Sequence, residues 1–598
     1  MRTSEPPPWP HCAHGADPGA DPVGCRGIHV PGHTACLAHL ADADRDAYLA
    51  GLTPGTDIDH RGTPFTGPLL DALLNALRDS ATRRPRLGAA QFKSAIFEGY
   101  AGFGAATFQD YAEFGSATFQ GIAQFESATF QSAARFDSAT FQGDARFDSA
   151  TFQEVAWLNS ATFQGDARFD SATFQEVAWF RSATFQSAAW FESATFQGNA
   201  WFSSATFQNH VQFALATFQG QVGFELADFE QWVSLGPLVC AGWVRLSGAV
   251  FNGPATLSFA ARRLECRRTR WLSTAEVRLR YATVDFAHAV FEYPLTIAAE
   301  ADPFLLSVGR PVAEHVLAGA PNASVRMASL RGVDAAHLVL ADVDLSRCLF
   351  TGTVHLDQVR LEGDCSFDTV PPGTHWRRGR PVWFTLRRTV AEEHHWRASQ
   401  PDAVRGWNVA AFGARPAGPA QLAPVYRALR KAFEDGKNEP GAADFYYGEM
   451  EMRRHDRTTT SRAERGLLHA YWMLSGYGLR AVRALGWLAA AMLVTLVLLM
   501  GFGLPKENPK QEATGTVPPG GGRVTFEIDK GEPRNPTGNR FTGERFEKAL
   551  NVTLNSVVFR SSGQDLTTAG TYIEMTSRLV EPAFLALAVL AVRGRIKR

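Results

Sequence analysis

The chain is predicted to be mainly β over its long front part, a solenoid of short stacked strands, followed by a helical hairpin and two membrane-spanning helices. Three observations predict this. Phe recurs at alternating steps of five and six, as at Phe92, Phe97, Phe103, Phe108, Phe114 and Phe119, and the pattern runs to Phe229 with Leu158 taking one slot. A related pattern with steps of five returns at Leu330, Ala335, Leu340, Leu345 and Phe350. Residues 485–504, LGWLAAAMLVTLVLLMGFGL, are twenty in a row without a charge, the length a bilayer-spanning helix needs.

An eleven-residue period can also describe a right-handed helical supercoil. That reading fails, because at 100° per residue Phe141 and Phe147 point far apart and Ala139 and Ala145 widen the spread. The strand reading succeeds. Ala stands two before most Phe, as in Ala139/Phe141, Ala145/Phe147 and Ala150/Phe152, and in a strand such pairs share one face. Ala and Phe therefore point inward, and the intervening Thr, Arg, Trp or Gln points out. One such segment cannot bury its Phe alone, so the segments stack into a solenoid.

In these units the chain resembles the pentapeptide-repeat family. The resemblance implies a right-handed quadrilateral β-helix with four faces per coil, so the five-plus-six variant gives 22 residues per coil and bulges at opposite corners. Six such coils over 92–229 would span on the order of 30 Å at the spacing of paired strands. The whole β-helix is expected over 89–370, irregular at about 231–325.

A solenoid needs capping, or its first coil exposes Phe and open strand edges. Residues 51–88 are expected to cap it: Leu69, Leu70, Leu73, Leu74 and Leu77 repeat at helical spacing, and the preceding DIDHRGTPFT suits an irregular first strand. Upstream, 1–50 is rich in Gly, Pro, Cys and His. Cys12, Cys25, Cys36 and His39 are three thiols and an imidazole, a donor set that suits tetrahedral zinc, with Cys36 and His39 in C-x-x-H spacing. A metal clip would order a segment with little apolar content. Unlinked cysteines are the other reading, and His14, His29 and His33 are spare candidate ligands. Any such metal is expected to be structural.

Outside the rod, Trp157, Trp179, Trp190 and Trp201 hold the outward position of the six-residue step, where Arg135, Arg146 and Arg168 stand in other units. A 22-residue coil puts Trp157, Trp179 and Trp201 on one face as an exposed ladder. It either stabilises neighbouring strands or docks a protein partner. Gln142, Gln153, Gln164 and Gln175 suit an amide ladder. Over 92–229 there are 14 Asp/Glu against 5 Lys/Arg. Some pentapeptide-repeat proteins imitate DNA with an acidic rod and bind gyrase, but the Trp column and the membrane tether oppose that reading here. The basic run 262–280, RRLECRRTRWLSTAEVRLR, could face lipid headgroups or simply be solvated.

Residues 371–423 read as a linker, with EEHH at 392–395 as solvated loop. Residues 424–484 read as cytoplasmic juxtamembrane helices: Pro424 suits a helix start, with Val425, Leu429 and Phe433 on one face and Ala442, Tyr446 and Met450 on the next helix. Seven Arg and two acids lie between Arg453 and Arg483, and the chain ends AVRGRIKR, so both flanks are expected on the cytoplasmic side. The second span is expected from near Tyr572. Glu574, Arg578 and Glu581 in its first half mean either a protein-lined interior or a span that starts later.

Residues 485–598 resemble, in order and spacing, the pore module of two-helix potassium-type channels, with a re-entrant-like helix at 541–559. The resemblance places the filter at Val558, Phe559, Arg560, Ser561, Ser562 and Gly563. Only Gly563 echoes the family's T-V-G-Y-G motif, and Arg560 would set a positive charge in a cation filter, which implies a degenerate pore.

Net charge is −1 and no nucleophile elbow, Walker loop or H-E-x-x-H is present, which points away from an enzyme. MRTSEPPPWPHC lacks the apolar core of a signal peptide. The sequence reads as a non-enzymatic, membrane-anchored interaction scaffold of a bacterial-type inner membrane, with both termini cytoplasmic. The alternatives are an oligomeric channel-like protein with a β-helix sensor and a gyrase-binding DNA mimic. A protein partner and a homo-oligomer are expected, and nucleic acid is disfavoured.

Overall fold

The computed structural model describes residues 5–305, 310–320, 322–377, 380–409, 417–506, 511–516, 519–531, 533–535 and 538–596. They divide into two units: 1–417 with 431–437, and 418–430 with 438–598.

The first unit is a β-solenoid of roughly twelve parallel turns. Each repeat unit contributes a two-residue strand, such as Thr140–Phe141 and Ala145–Arg146, and four strands complete a coil. Strand partners lie 22 residues apart from Ala90↔Ala112 to Asp228↔Val250, as the five-plus-six step requires. Ala and Phe of every unit are buried. Successive coils stack Phe on Phe, for example Phe125 on Phe147 at 4.8 Å and 1° between planes and Phe130 on Phe152 at 4.8 Å and 4°. Rings of adjacent columns meet edge to face, as Phe125 and Phe136 do at 5.5 Å and 85°. Both arrangements are the ones an aromatic quadrupole favours.

At each five-residue corner the residue before Ala is left-handed. Ser116, Ser127, Ser138, Ser149, Ser160 and Ser171 all have φ between 54° and 57°. The turn lets each Ser donate its backbone N–H to the next coil, as from Ser138 to the Asn159 carbonyl at 2.8 Å. The Gln at the opposite corners are largely exposed, and no side-chain amide bond links them among the described residues. Their pairing is through the backbone, as Gln142 N–H to Phe119 carbonyl at 2.8 Å. The amide-ladder expectation fails because those side chains point into water.

The stretch expected to be irregular contains the longest ladders. Val233–Arg245 pairs with Ala255–Glu265, and two register shifts, between Leu235 and Leu238 and between Cys240 and Trp243, each remove one residue. The offset falls from 22 at Val233↔Ala255 to 20 at Val244↔Leu264, and stays 20 at Ala275↔Leu295. Four even steps of five then close each coil, and the later Leu330, Ala335, Leu340, Leu345 and Phe350 are buried as expected. Between Thr283 and its partner Arg326 an insertion leaves the coil. It packs Val312 and Leu317 on Val239 and Ala260, and Glu314 accepts from Arg280 at 2.7 Å. Three more of the seven arginines in 262–280 form such pairs: Arg263 with Glu265, Arg267 with Asp285 and Arg278 with Glu276. No lipid-facing patch is needed to account for those four arginines.

Both ends of the solenoid are closed. Helix α1 (Asp42–Ala50) precedes the first coil, whose strands Ile58–Asp59 and Pro64–Phe65 already pair in register with Ala90–Gln91 and Ile96–Phe97. The coil therefore begins in DIDHRGTPFT, the stretch expected to supply an irregular first strand, which forms two short strands in register. Its offset is 32 rather than 22, because α2 (Gly67–Ala76) is inserted and lays Leu70, Leu73 and Leu74 onto the core. At the other end, residues 392–395 are not a solvated loop. They lie in α3 (Ala391–Ala398), with Glu392, Glu393 and His394 buried. The Glu392 carboxylate accepts from the N–H of Phe350 and Thr351 and from the Thr351 hydroxyl, donors that the last coil would otherwise leave unpaired. Glu393 is held by Arg387 at 2.6 Å and Arg397 at 2.6 Å. His394 lies between the Thr389 hydroxyl at 2.8 Å and the Asn408 N–H. The segment read as a linker, 371–423, also carries a hairpin of Thr374–Arg377 with Arg380–Trp383; its residues 410–416 lie outside the described set.

In the second unit, α4 (Pro419–Asp435) begins five residues before the Pro424 start the sequence suggests, and holds Pro424 inside it. Its residues Leu422, Val425, Tyr426 and Leu429 are buried. In α5 (Glu439–His455), Phe445 is buried where Tyr446 was expected and Tyr446 is half-buried. Gly448 is there because a Cβ would sit 2.3 Å from the Tyr426 ring. Buried Glu449 accepts from Arg427 at 2.8 Å and Arg430 at 3.1 Å. After α6 (Arg462–Ser475), α7 (Ala481–Leu498) runs into a π-turn at Leu499–Gly503. Then come α8 (Gly543–Val557) and α9 (Thr568–Ile596), which starts one turn before Tyr572. Ala481–Gly503 and Thr568–Arg593 are long and apolar enough to cross a membrane. They meet where Gly570 leaves no room for a Cβ against Gly503. Lys597 and Arg598 of the expected basic end lie outside the described residues.

Two outcomes test this packing. Ser149→Val, which puts a β-branched side chain at φ 57°, is expected to cost about 1–2 kcal/mol of local stability; Ser149→Gly is expected to cost nothing, both read by hydrogen exchange across that coil. His60 is 1% exposed, between the Phe65 and Phe92 rings, and burial pushes its pKa down to about 4. Below pH 6.5 the unfolded cap therefore takes up a proton that the folded cap refuses. Stability is full above that pH, falls by about 2 kcal/mol by pH 5 and levels off near pH 4. Exchange at 58–65 should show this slope, and His60→Phe should flatten it.

Candidate metal centre and aromatic ladder

The N-terminal segment folds back on itself as an antiparallel pair. Cys12 N–H donates to the Gly27 carbonyl at 2.8 Å, Ala13 N–H to Cys25 carbonyl at 2.9 Å, and Cys25 N–H to His14 carbonyl at 2.9 Å. This sets Cys12 opposite Gly27 and Cys25 opposite Ala13 and His14, so the two thiols lie on adjoining positions of the pair. One turn bonded from His39 N–H to Cys36 carbonyl brings the other two side chains to the same point. The four donor atoms all lie within 4.8 Å of one another. Cys25 Sγ is 3.7 Å from Cys36 Sγ, and His39 Nδ1 is 3.3 Å from Cys36 Sγ and 3.6 Å from Cys12 Sγ. Around a tetrahedral ion with ordinary zinc bond lengths the edges would be about 3.8 Å between sulfurs and about 3.6 Å between sulfur and nitrogen. The set is compatible with a zinc site in donor chemistry and in spacing.

Cys36 is buried, and Cys12, Cys25 and His39 are half-buried. The Cys36 thiol donates to Cys25, which pulls the Cys25 pKa down to about 5; the same bond, with burial, pushes Cys36 up. The pair thus shares one proton, which a bound dication would displace. Gly27 N–H donates to Cys25 Sγ at 3.5 Å, and a Cβ on Gly27 would stand 2.6 Å from Cys36 Cβ. Of the spare histidines, His14 stacks on the cluster's own His39 at 4.1 Å, His29 meets the His11 carbonyl at 2.8 Å, and His33 lies 3.9 Å from Asp44. The cluster is seated on the first coil, where Ile28 N–H donates to Arg61 carbonyl at 2.8 Å and Gly62, at φ 68°, lets the Arg26 carbonyl approach.

On the solenoid wall, Trp157 pairs in register with Trp179, and Trp179 with Trp201. The sequence reading of one column is met. Trp179 and Trp201 stack at 6.2 Å, while Arg135 lies over Trp157 and Arg181 over Trp179, each at 4.7 Å. The rings are half-buried rather than exposed, because each is covered by a neighbouring ring or guanidinium. Trp190 is separate. It pairs with Arg168 and Gln212 in another ladder, and its ring neighbour is His210 at 5.5 Å. A shallow groove of about 350 Å³ is lined by Trp157, Asn159, Ser160, Trp179, Arg181 and Ser182.

These walls are the part of the chain that other proteins share. Four overlapping windows, 114–162, 125–173, 147–195 and 169–214, match the family described as Pentapeptide repeats (9 copies). Residues 114–214 are pentapeptide repeats. No curated protein and no solved structure matches the chain. All four Trp fall inside the matched pentapeptide repeats, at the outward position between inward Ala and inward Phe. The Cys/His cluster, the insertion and α3–α9 lie outside them.

Residues 558–563, which the sequence reading aligns with a channel filter, follow α8 directly. Val558 and Phe559 are exposed, Phe559 and Gly563 are left-handed at φ 58° and 63°, and the Ser562 hydroxyl donates to Glu574 at 3.3 Å. Arg545 of α8 donates to the carbonyls of Met500 at 2.8 Å, Leu504 at 2.9 Å and Pro505 at 2.9 Å, tying α8 to the end of α7. Sequence reasoning missed Glu392. The only available signal was two acids opening a helix just after a β-repeat ends.

Stacking with guanidinium cover is expected to make the ladder stabilising in its own right. Trp179→Ser should cost about 1–2 kcal/mol locally, seen as faster amide exchange in the coils of Trp157 and Trp201, while Trp190→Ser should cost less.

Proposed function

We propose that the protein is a non-enzymatic, membrane-anchored scaffold that docks a protein partner on the Trp157/Trp179/Trp201 wall of its pentapeptide repeats. The observation that carries this reading is the groove between Trp157 and Trp179, an aromatic floor edged by Arg181 and Asn159. Aromatic and Arg side chains are the ones that dominate binding surfaces. The acidic residues are interleaved with Trp and Arg along this wall, which favours a protein partner over imitation of DNA. In this reading α7 and α9 cross a bacterial-type inner membrane and the arginines before α7 hold the bulk of the chain in the cytoplasm. The Cys12/Cys25/Cys36/His39 cluster holds a structural zinc that fixes the N-terminal segment on the first coil. Three thiolates and one imidazole would complete its coordination, so it supplies order rather than chemistry.

A photocrosslinker at Asn159 is expected to capture a defined protein in intact cells, and Trp179→Ser to abolish the capture. Equal capture from Gln164, on a corner without Trp, would sink the docking assignment. For the metal, cobalt(II) is expected to give tetrahedral d–d absorption with thiolate charge transfer at one ion per chain. Cys36→Ser should remove it, and Gly27→Ala should weaken it by displacing Cys36.

A second reading draws on the bond of Arg545 to the end of α7, which holds a short amphipathic helix between two spans as a ring-forming pore module would. Single-channel currents altered by Arg560→Ala would promote it.

A further inference from the structure

Within α9 three charged residues lie between Thr568 and the closing Arg593, and the structure treats them differently. Glu574 and Arg578 pair one turn apart, Arg578 Nη2 to Glu574 Oε1 at 2.7 Å. Glu581 does not share this pair. It is fully buried, and no cation of the described residues forms an ion pair with either carboxylate oxygen. The polar group facing it from α7 is the buried Thr495 hydroxyl. Between Arg483 and Gly503 α7 supplies no charged residue, and the charged residues of α9 within two turns are Glu574 and Arg578. Glu581 also sits at the midpoint of the apolar stretch, thirteen residues from Thr568 and twelve from Arg593. Pro582 follows it and has no N–H to give, so the Arg578 carbonyl one turn earlier lacks its helical donor.

An isolated carboxylate at the centre of a bilayer-spanning helix is costly and persists where a cation compensates it. Arg578, the cation nearest to it along α9, is committed to Glu574. The oxygens at hand are its own carboxylate, the Thr495 hydroxyl and, on α9 one turn earlier, the Arg578 carbonyl that Pro582 leaves without its helical donor. We propose that Glu581 is a binding position for a small monovalent cation, a proton or a sodium ion, in the interior of the α7–α9 module. This rests on the reading of α7 and α9 as membrane spans. It holds whether the module is a pore or an anchor, because the compensation is local to the helix pair.

The test uses the full-length protein in native membrane vesicles, washed with alkaline carbonate and treated with dicyclohexylcarbodiimide. The acid O–H adds across one C=N bond of this apolar reagent, and acyl transfer to nitrogen leaves a stable N-acylurea with nothing expelled. Mass spectrometry is expected to find the adduct at Glu581, with none at the Arg-paired Glu574, and its rate should fall as pH is raised. Sodium chloride slowing the reaction severalfold against choline chloride assigns sodium; no slowing assigns the proton alone. E581Q should lose the adduct, and E581D, which keeps the acid, should retain it at a lower rate. Retention in carbonate-washed membranes without label at Glu581, or label only after dissolution in dodecyl sulfate, overturns the cation site while leaving the spans. Extraction of the protein by carbonate overturns the membrane reading and the site with it.

Discussion

The spacing of stacked Phe rings governs the solenoid. A strand ladder sets its chains about 4.8 Å apart, and Phe rings repeat at that same distance in the core, as at 4.8 Å between Phe119 and Phe141. Backbone pairing and ring stacking therefore ask for the same coil height, and neither strains the other. Ala beside each Phe leaves room for the rings of the adjacent column to meet edge to face. Where Leu158 replaces Phe the column loses a ring, yet Leu158 is still fully buried. The ladders tolerate the loss of one ring because every coil is held by four columns.

Matched spacing also explains how the coil can shorten. After Trp243 the column narrows from 22 to 20 residues per turn, with one residue withdrawn at each of two bulges inside a long strand pair. Inward positions stay aligned because each deletion falls next to a corner. Phe251 still stacks on Trp271, at 4.1 Å. A larger ring thus enters the same column where the coil is smaller.

Much of this was legible in the sequence. Inward Ala and Phe and the leucine helix at the start follow from spacing. The 22-residue register, and with it the column of Trp157, Trp179 and Trp201, needed the four faces that the pentapeptide-repeat resemblance implies. The Cys/His set was readable from its donor types. What could not be read depends on partners far away in the chain. Glu392 looks like a surface acid, and its burial is decided by N–H groups 42 residues earlier that have no next coil to pair with. Part of the basic run 262–280 is likewise neutralised from a distance, by Asp285 beside Arg267 and Glu314 beside Arg280. The separation of Trp190 from its three counterparts is visible only when alternate units are assigned to different walls.

Glu392 has a consequence for assembly. An unfinished β-solenoid is a template, since its terminal N–H groups can accept another coil from any copy of the chain. A carboxylate placed on those donors occupies them with a group that carries no N–H of its own, so the ladder cannot be handed on. At the opposite end α2 lays its leucines over the core, so each end of the ladder is covered in part by a segment that is not itself a coil.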